Sequence, residues 1–287
     1  MEMKENEAPR ANARGIFSAC FGRASPQMRD PAAAGKSCRS RKSSHSSTAL
    51  QPWFSAKADK LVSLYFKIFP EIIMHNHTYR LKRFIKLVVE KYDEKGKKII
   101  DIGAGTCQYK NYFKNLQYFS QDIQNNQQES INYVGEFEIL PSNHFDYVLC
   151  TQVLEHLKDP NLAFKNFHRI LKKRGKVFLT TIMTFEEHSI PDDYFRFTQY
   201  GLKYLAEQNG FRVTEINPHG GRFLVLAKEL QILWPRLIKK REIIWLYYLV
   251  FSLPLFIFNL ILFLLDFLDK DKNLTLNYEC IFSKVTK

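Results

Sequence analysis

The segment Ile99-Ile-Asp-Ile-Gly-Ala-Gly-Thr-Cys-Gln-Tyr109 places an acidic residue and two glycines directly after an apolar run. Glycines after a buried strand let the backbone approach a ligand closely, and a following helix offers free N–H groups to an anionic part of that ligand. A dinucleotide-binding loop would carry its third glycine at position 108, which is glutamine here. The spacing therefore indicates a small-molecule loop and weakens the nicotinamide interpretation.

A second acidic residue suits the same ligand. Asp122 closes the apolar segment QYFSQDI, 19 residues after Gly103. A carboxylate at this place can accept hydrogen bonds from both hydroxyls of a ribose. An aspartate that only caps a turn is the alternative.

The pattern Asp101-x-Gly103-x-Gly105-Thr106 resembles the first motif of the class I S-adenosylmethionine-dependent methyltransferases, D-x-G-x-G-[ST]-G, from which only Cys107 departs. Residues 145–181 also resemble the fourth-strand region of that superfamily, with F-D-x-V, V-L-E-H, D-P and R-x-L-K-x-x-G in order. The similarity runs from about residue 97 to 211 and points to the small-molecule type akin to quinone-biosynthesis enzymes.

This resemblance implies the cofactor S-adenosyl-L-methionine. Cys107 fits the turn if its backbone keeps a negative φ, and a positive φ would weaken cofactor affinity. In such enzymes an acid in the position of Glu136 faces the adenine amino group. The expected cofactor-binding residues are Asp101, Gly103, Gly105, Thr106, Asp122, Glu136 and Thr151.

The methyl acceptor is only partly restricted. The D/N-P-P-Y motif of amide and adenine N-methyltransferases is replaced by Cys150-Thr-Gln-Val, which favours an oxygen or carbon acceptor on a small molecule, a glycan or a lipid-linked compound. Because the sulfonium already activates the methyl group, the protein mainly aligns the acceptor and excludes water. The expected catalytic residues are His156, His188, Tyr194 and Arg196.

Each of these acceptor residues has an alternative role. His156 could be a helix histidine satisfied by nearby backbone, and the polar loop HSIPDDYFRFT, with Asp192, could be a capping network for the next helix. The alternative function is a membrane adaptor that binds the cofactor but does not catalyse.

Alternating apolar runs and helical patterns predict an α/β fold. We expect a Rossmann-like doubly wound sheet, mostly parallel with an antiparallel last strand, and a hydrophobic helical insertion before that strand. Three helices are predicted. The first starts at Asn76 or Thr78 and Gly96 marks its end, the second starts at Asp159-Pro160 with Gly175 past its end, and the third runs from about Thr198 to Asn209 and is closed by Gly210. The predicted strands lie in the segments KKIIDIG, LQYFSQDI, FDYVLCT and KVFLTTI. Near the end of the chain, the segments FRVTEINP and LNYECIFSKVTK are expected to pair with each other as strands.

The chain divides into three parts. Residues 1–52 are poor in aliphatic residues and predict a disordered or low-complexity tail. Residues 53–218 and 274–287 form the predicted methyltransferase domain. Residues 219–273 form the predicted hydrophobic helical insertion, whose composition suits association with a membrane.

Residues 243–265 are apolar and long enough to span a membrane. A single crossing would prevent the two last strands from pairing, and Pro254 should break or kink the helix. We therefore expect two short arms, or an amphipathic pair, in peripheral or monotopic contact with the cytoplasmic face of a membrane through residues 236–268. A buried helix pair or a dimer interface is the alternative.

Composition restricts the remaining partners. Residues 1–50 contain nine Lys/Arg and four Asp/Glu, so they contribute +5 of the net charge of +13. The positive charge is therefore spread along the chain, which implies no single basic face, and no nucleic-acid partner is expected. Five scattered cysteines without a C-x-x-C pair predict reduced thiols in a cytoplasmic protein and no metal site. The oligomeric state stays open.

Overall fold

A computed structural model describes residues 76–125, 130–237 and 244–286. They form a sheet of seven strands with helices on both faces. The strands are β1 Lys98–Ile102, β2 Gln117–Asp122, β3 Tyr133–Val134, β4 Phe145–Thr151, β5 Leu171–Ile182, β6 Phe211–His219 and β7 Asn277–Lys284, and the helices are α1 Asn76–Tyr92, α2 Pro160–Ile170, α3 Gln199–Gln208, α4 Arg222–Leu237 and α5 Ile244–Leu265.

The strand order is β3-β2-β1-β4-β5-β7-β6. The pairs within β3-β2-β1-β4-β5 are parallel, whereas β7 runs antiparallel to both β5 and β6. This order confirms the predicted doubly wound sheet with an antiparallel last strand. Because the chain reverses direction across the sheet beside β1, the loops after β1 and β4 open at a common edge.

Alternate residues of the strands fill two cores. Ile100, Ile102 and Val148 pack with α2 and α3 on one face, and Ile99 and Leu149 pack with α1 on the other. The two-residue periodicity of a strand explains this division, because successive side chains point to opposite faces. The apolar runs therefore read as strands buried on both sides.

Helix α2 begins as expected and ends early. The Asp159 carboxylate caps it by accepting a 3.0 Å hydrogen bond from the Leu162 N–H, and Pro160 follows. The prediction that the helix continues towards Gly175 is wrong, because β5 begins at Leu171. Leu171 is fully buried and pairs with Phe145 of β4, so tertiary packing overrides local helix propensity there. The short strand β3 was also not predicted from the sequence.

Helices α4 and α5 lie between β6 and β7 and pack against each other. The prediction of a break at Pro254 is wrong, since α5 continues through this residue. Proline removes the backbone hydrogen bond to residue 250, and Val250 is 55% exposed, which leaves its carbonyl open to other partners. Within the described ranges, no helix is both long and apolar enough to cross a membrane. The predicted tail, residues 1–52, lies outside the described residues.

Candidate active site

The loop after β1 has three residues in the left-handed backbone region. The φ angles are +65° at Gly103, +52° at Gly105 and +53° at Cys107. The two glycines adopt this conformation at little cost, whereas a side chain with a Cβ does not. Cys107 therefore has the positive φ that was expected to weaken cofactor affinity, and it is also buried.

The end of β2 holds this loop in place. The Gly105 N–H donates a 2.9 Å hydrogen bond to Oδ2 of Asp122, and the Gly103 N–H lies 3.4 Å from Oε1 of Gln121. Gln121 also donates to the main-chain oxygen of Gly135 at 2.6 Å. The end of β2 is thus bonded both to the glycine loop after β1 and to Gly135 after β3. Gln121 was missed from the sequence, since nothing local distinguishes it from other strand residues.

Asp101 lies beneath the loop and is 2% exposed. Its carboxylate accepts a short hydrogen bond from the Tyr118 hydroxyl. Burial raises the pKa of Asp101 to about 7, although the Tyr118 hydroxyl lowers it. Tyr118 of β2 therefore fixes the carboxyl group of Asp101 at the end of β1, two residues before Gly103.

The other expected cofactor residues lie at the same edge of the sheet. Gly105, Thr106 and Glu136 are exposed. Glu136 follows Gly135, whose N–H donates to the Asp122 main-chain oxygen at 2.9 Å. Thr151 is the last residue of β4. These seven residues are brought together around one open edge, and their contacts with a cofactor stay a prediction.

His156 follows β4 in a short 3₁₀ turn. Its Nδ1 lies 2.6 Å from the main-chain oxygen of Asp192, and its Nε2 is buried without a hydrogen-bond partner in the described part of the chain. A carbonyl can only accept, so Nδ1 carries the proton and Nε2 keeps a free lone pair. Burial lowers the pKa of His156, which favours the neutral ring.

His188 lies beside His156, with 4.7 Å between the ring centroids. Phe185 packs on its other side at 5.1 Å. The Nδ1 atom of His188 is 3.1 Å from the main-chain oxygen of Glu186 and 3.4 Å from Oδ2 of Asp193. Both expected catalytic histidines therefore occupy one place at the carboxyl ends of β4 and β5.

The hydrogen bonds of Arg196 are made to residues of its own loop. Its guanidinium donates two hydrogen bonds of 2.6 and 2.7 Å to the carboxylate of Asp193 and others to three main-chain oxygens. Burial raises the pKa of Asp193, but Arg196 and the His188 N–H lower it to about 2 overall. Asp193 was missed from the sequence, where its place in an acidic pair with Asp192 was the only signal.

Tyr194 is 38% exposed, and its hydroxyl donates to the Asp192 carboxylate at 2.7 Å. Helix α3 is capped by Thr198, whose hydroxyl accepts from the Gly201 N–H at 3.1 Å. Thr198 is the last residue of the polar loop, so the loop does supply the cap of α3, but through Thr198 and not through the side chains of Asp192 or Tyr194, which bond to each other.

Glu155 was also missed, although it stands within the matched V-L-E-H motif. It is fully buried, and its Oε2 accepts a 2.8 Å hydrogen bond from the Thr181 hydroxyl. Burial raises its pKa to about 7. Glu155, His156 and His188 each offer one ligand atom, all within 4.8 Å of one another. One carboxylate and two imidazoles could accept a transition metal, so metal analysis of purified protein is needed to test the expected absence of a metal.

Helix α4 reaches the same loop. The Nζ of Lys228 lies 3.7 Å from the centroid of the Phe185 ring, a cation–π geometry. The helices between β6 and β7 thus contact the loop that carries His188.

The comparisons with known proteins agree with this arrangement. A family model described as a methyltransferase domain matches residues 73–216. The ubiquinone biosynthesis O-methyltransferase of Coxiella burnetii is 28% identical over 114 residues, which cover 34% of this chain and 49% of that protein. The enzyme of the same name from Pseudomonas aeruginosa is 36% identical over 63 residues, covering 22% and 25%. The chain spans about half the length of the first of these curated relatives and a quarter of the second.

Solved structures resemble it more distantly. A putative sarcosine dimethylglycine methyltransferase from Galdieria sulphuraria is 16% identical, covers 80% of this chain and 98% of its own, and has a TM-score of 0.47. The family match over half of the chain, on a sheet of this order with a glycine loop after β1, shows that the chain belongs to the class I S-adenosylmethionine-dependent methyltransferases.

Proposed function

We propose that the protein transfers the methyl group of S-adenosylmethionine to an oxygen of a small-molecule, glycan or lipid-linked acceptor. Carbon is the second candidate acceptor atom. The observation that carries the proposal is the buried, unpartnered Nε2 of His156 at the carboxyl edge of β4. A hydroxyl acceptor needs a base for its proton, and a neutral imidazole with a free lone pair supplies one.

The reaction balances without a further reactant. The acceptor oxygen forms a bond to the methyl carbon as the bond from that carbon to sulfur breaks, which leaves S-adenosylhomocysteine. The hydroxyl proton passes to Nε2 of His156. His188 packs against His156 and Tyr194 lies on the same loop, so both would contact the acceptor.

On the cofactor side, Asp122 would bind the ribose hydroxyls and Glu136 the adenine amino group. The loop of Gly103, Gly105 and Thr106, supported by Asp101, would hold the amino-acid part of the cofactor. Thr151, at the end of β4, would face the same part. The support for these roles is the shared edge of the sheet and the contact between Gly105 and Asp122.

The names of the curated relatives favour oxygen over carbon as the acceptor atom, because they are O-methyltransferases of ubiquinone biosynthesis. They match over a minor part of this chain, so they support the reaction class more than the acceptor. A cofactor-binding adaptor without turnover is the second candidate function. The feature in its favour is Cys107, which departs from the first motif of the family at a position of positive φ.

Labelled S-adenosylmethionine tests both functions. Purified protein is incubated with the labelled cofactor and fractionated cell extract, and the label is followed into lipid, glycan, small-molecule and protein fractions. We expect label in a non-protein fraction, and we expect His156→Gln to abolish transfer while cofactor affinity by calorimetry stays within twofold. Cofactor binding without transfer to any fraction would favour the adaptor, and no binding at millimolar cofactor would exclude both functions.

We further propose that residues 236–268 contact the cytoplasmic face of a membrane and that residues 219–273 are an insertion serving this contact. The part of helix α5 from Val250 onward and the 3₁₀ turn that follows it carry an exposed apolar stripe. Its members recur at intervals of three or four residues, as one helix face requires; they are Val250, Leu253, Ile257, Ile261, Leu264 and Leu268, each 47–59% exposed. A contiguous exposed apolar surface of this kind marks an interaction site.

Charge favours a membrane as the partner. In the sequence, Arg236, Lys239, Lys240 and Arg241 directly precede the apolar run, and basic residues beside an apolar face suit anionic headgroups. We call the loop between β5 and α3, residues 183–198, the acceptor loop. The contact between Lys228 of α4 and Phe185 of this loop supports a position of α4 and α5 beside it. Both features support an acceptor that resides in the membrane or is linked to a lipid.

Vesicle sedimentation tests this contact. We expect the protein to sediment with vesicles containing anionic phospholipid, and a double variant, Leu253→Glu with Ile257→Glu, to stay in the supernatant. Leu162→Glu on α2 introduces one glutamate at a residue 43% exposed and should sediment like the unchanged protein. Equal sedimentation of all three, or a concentration-dependent dimer that the double variant abolishes without any vesicle binding, would exclude the membrane role.

A further inference from the structure

Two neighbouring aspartates in the acceptor loop have different partners. The side chain of Asp193 is 4% exposed and accepts hydrogen bonds from both terminal nitrogens of Arg196, at 2.6 and 2.7 Å, and from the His188 N–H at 2.9 Å. The carboxylate of Asp192 accepts from the Tyr194 hydroxyl. Asp193 therefore forms hydrogen bonds inside the loop, whereas the carboxylate of Asp192 bonds to the exposed side chain of Tyr194.

Arg196 connects the first part of the loop, at Phe185 and Glu186, to its last part, at Asp193 and Phe195. While the terminal nitrogens of Arg196 hold Asp193, the same guanidinium donates to the main-chain oxygens of Phe185 at 3.2 Å, Glu186 at 3.0 Å and Phe195 at 2.9 Å. A bidentate bond between a guanidinium and a buried carboxylate is both strong and directional. The loop conformation thus depends on the charge of Asp193.

The loop contacts the turn after β4 through its main chain. The N–H groups of Tyr194 and Phe195 donate to the main-chain oxygen of Glu155 at 3.0 and 3.2 Å. Beside them, the main-chain oxygen of Asp192 meets Nδ1 of His156 at 2.6 Å. The residue that follows this oxygen is Asp193, which Arg196 and the His188 N–H hold in place.

We infer that Asp193 is a positioning residue: through Arg196 and the loop backbone it holds the Asp192 carbonyl against Nδ1 of His156, and so fixes the imidazole tautomer that leaves Nε2 free. In water a neutral histidine side chain carries its proton mainly on Nε2, which would remove the lone pair that the acceptor needs. The hydrogen bond to the other nitrogen decides the tautomer. The inference rests on the proposed function for its purpose, but the tautomer can be measured without any acceptor.

Nuclear magnetic resonance of the full chain with ¹⁵N-labelled histidine tests the inference, with chelator-treated protein saturated with S-adenosylhomocysteine. The His156 signals are assigned by their loss in His156→Gln. We expect the Nδ1–H tautomer in the unchanged protein and a shift towards Nε2–H in Asp193→Ala. The isosteric Asp193→Asn, which removes the charge but keeps the volume, should shift in the same direction and serves if the alanine variant does not fold.

Asp192→Ala is the matched control, because the bond to His156 uses the main-chain oxygen of this residue and not its carboxylate. It should keep the Nδ1–H tautomer. An Nε2–H tautomer in the unchanged protein, or an unchanged tautomer in both Asp193 variants, would overturn the inference.

A second measurement separates this inference from the proposed function. With the acceptor fraction identified by labelling, Asp193→Ala should lower methyl transfer at least tenfold while affinity for S-adenosylhomocysteine stays within twofold. Loss of the tautomer with full methyl transfer would contradict His156 as the base and leave the positioning by Asp193 intact.

Discussion

The backbone N–H of Gly105 donates a 2.9 Å hydrogen bond to Oδ2 of Asp122 and so joins the loop after β1 to the end of β2. Replacing Asp122 with alanine removes this bond and, in our proposal, two charge-assisted bonds to the ribose, each worth about 1.5–3 kcal/mol. We expect cofactor affinity to fall at least tenfold by calorimetry. Asp122→Asn keeps an acceptor for the Gly105 N–H and should lose less. Affinity within twofold of the unchanged protein in the alanine variant would refute the ribose role.

The left-handed backbone of Cys107 predicts a difference between two small replacements. Both Cys107→Ala and Cys107→Gly remove the thiol, but only glycine relieves the positive φ. We expect the glycine variant to be more stable than the alanine variant by about 1 kcal/mol and to bind the cofactor more tightly. Chemical denaturation and calorimetry measure the two effects. Equal behaviour of the two variants would mean that the loop relaxes around a side chain.

The two glycines of the loop should differ in their tolerance of a methyl group. A Cβ at Gly103 would lie 2.6 Å from Cγ2 of Val153, whereas at Gly105 it would meet no atom within 4 Å. Both positions have positive φ, so the backbone strain is similar. We expect Gly103→Ala to lower the free energy of unfolding by about 1–3 kcal/mol more than Gly105→Ala, as overpacking does. A larger loss in the Gly105 variant would contradict this packing.

Arg196 lies in the acceptor loop, and its described hydrogen bonds go to Asp193 and to three main-chain oxygens of this loop rather than to Gly105 or Asp122. Arg196→Ala should lower methyl transfer at least tenfold and leave cofactor affinity within twofold. The labelling assay and calorimetry measure the two quantities separately. If both fell to the same degree, the arginine would support the whole domain instead of the acceptor side.

The carboxyl group of Asp101 makes stability depend on pH. Its pKa is about 7 in the folded protein, raised by burial from the model-compound value of 3.8. Below pH 3.8 both states are protonated. As the pH rises towards 7 the unfolded chain loses this proton first, so the group progressively lowers the free energy of unfolding, and the loss is complete above pH 7.

Asp101→Asn removes this dependence while keeping an acceptor for Tyr118. Relative to the unchanged protein, the variant should therefore gain stability between pH 5 and pH 8. Urea denaturation at the two pH values measures the difference, in which the shared contributions of Glu155 and Glu279, whose pKa values burial also raises to about 7, cancel. A constant difference would show that Asp101 ionises normally.

Local sequence alone determined much of the sheet. Apolar runs at Lys98–Ile102 and Phe145–Thr151 are too short for helices and too apolar for exposed strands, so they could only be buried strands. Asp159 and Pro160 specify a helix start by their own chemistry, and so does Thr198 for α3. The glycine loop was recognisable because its spacing is set by the ligand and not by the rest of the fold.

Tertiary structure decided the details that depend on distant partners. Leu171 became a strand residue because it pairs with Phe145, 26 residues earlier. Helix α5 continues through Pro254, because a single lost hydrogen bond does not outweigh the rest of a 22-residue helix. The sequence placed His156 and the acceptor loop at one edge of the sheet, but which nitrogen of His156 is free depends on the Asp192 carbonyl, 36 residues later. Contacts between residues so far apart in the chain arise from packing, and no local pattern encodes them.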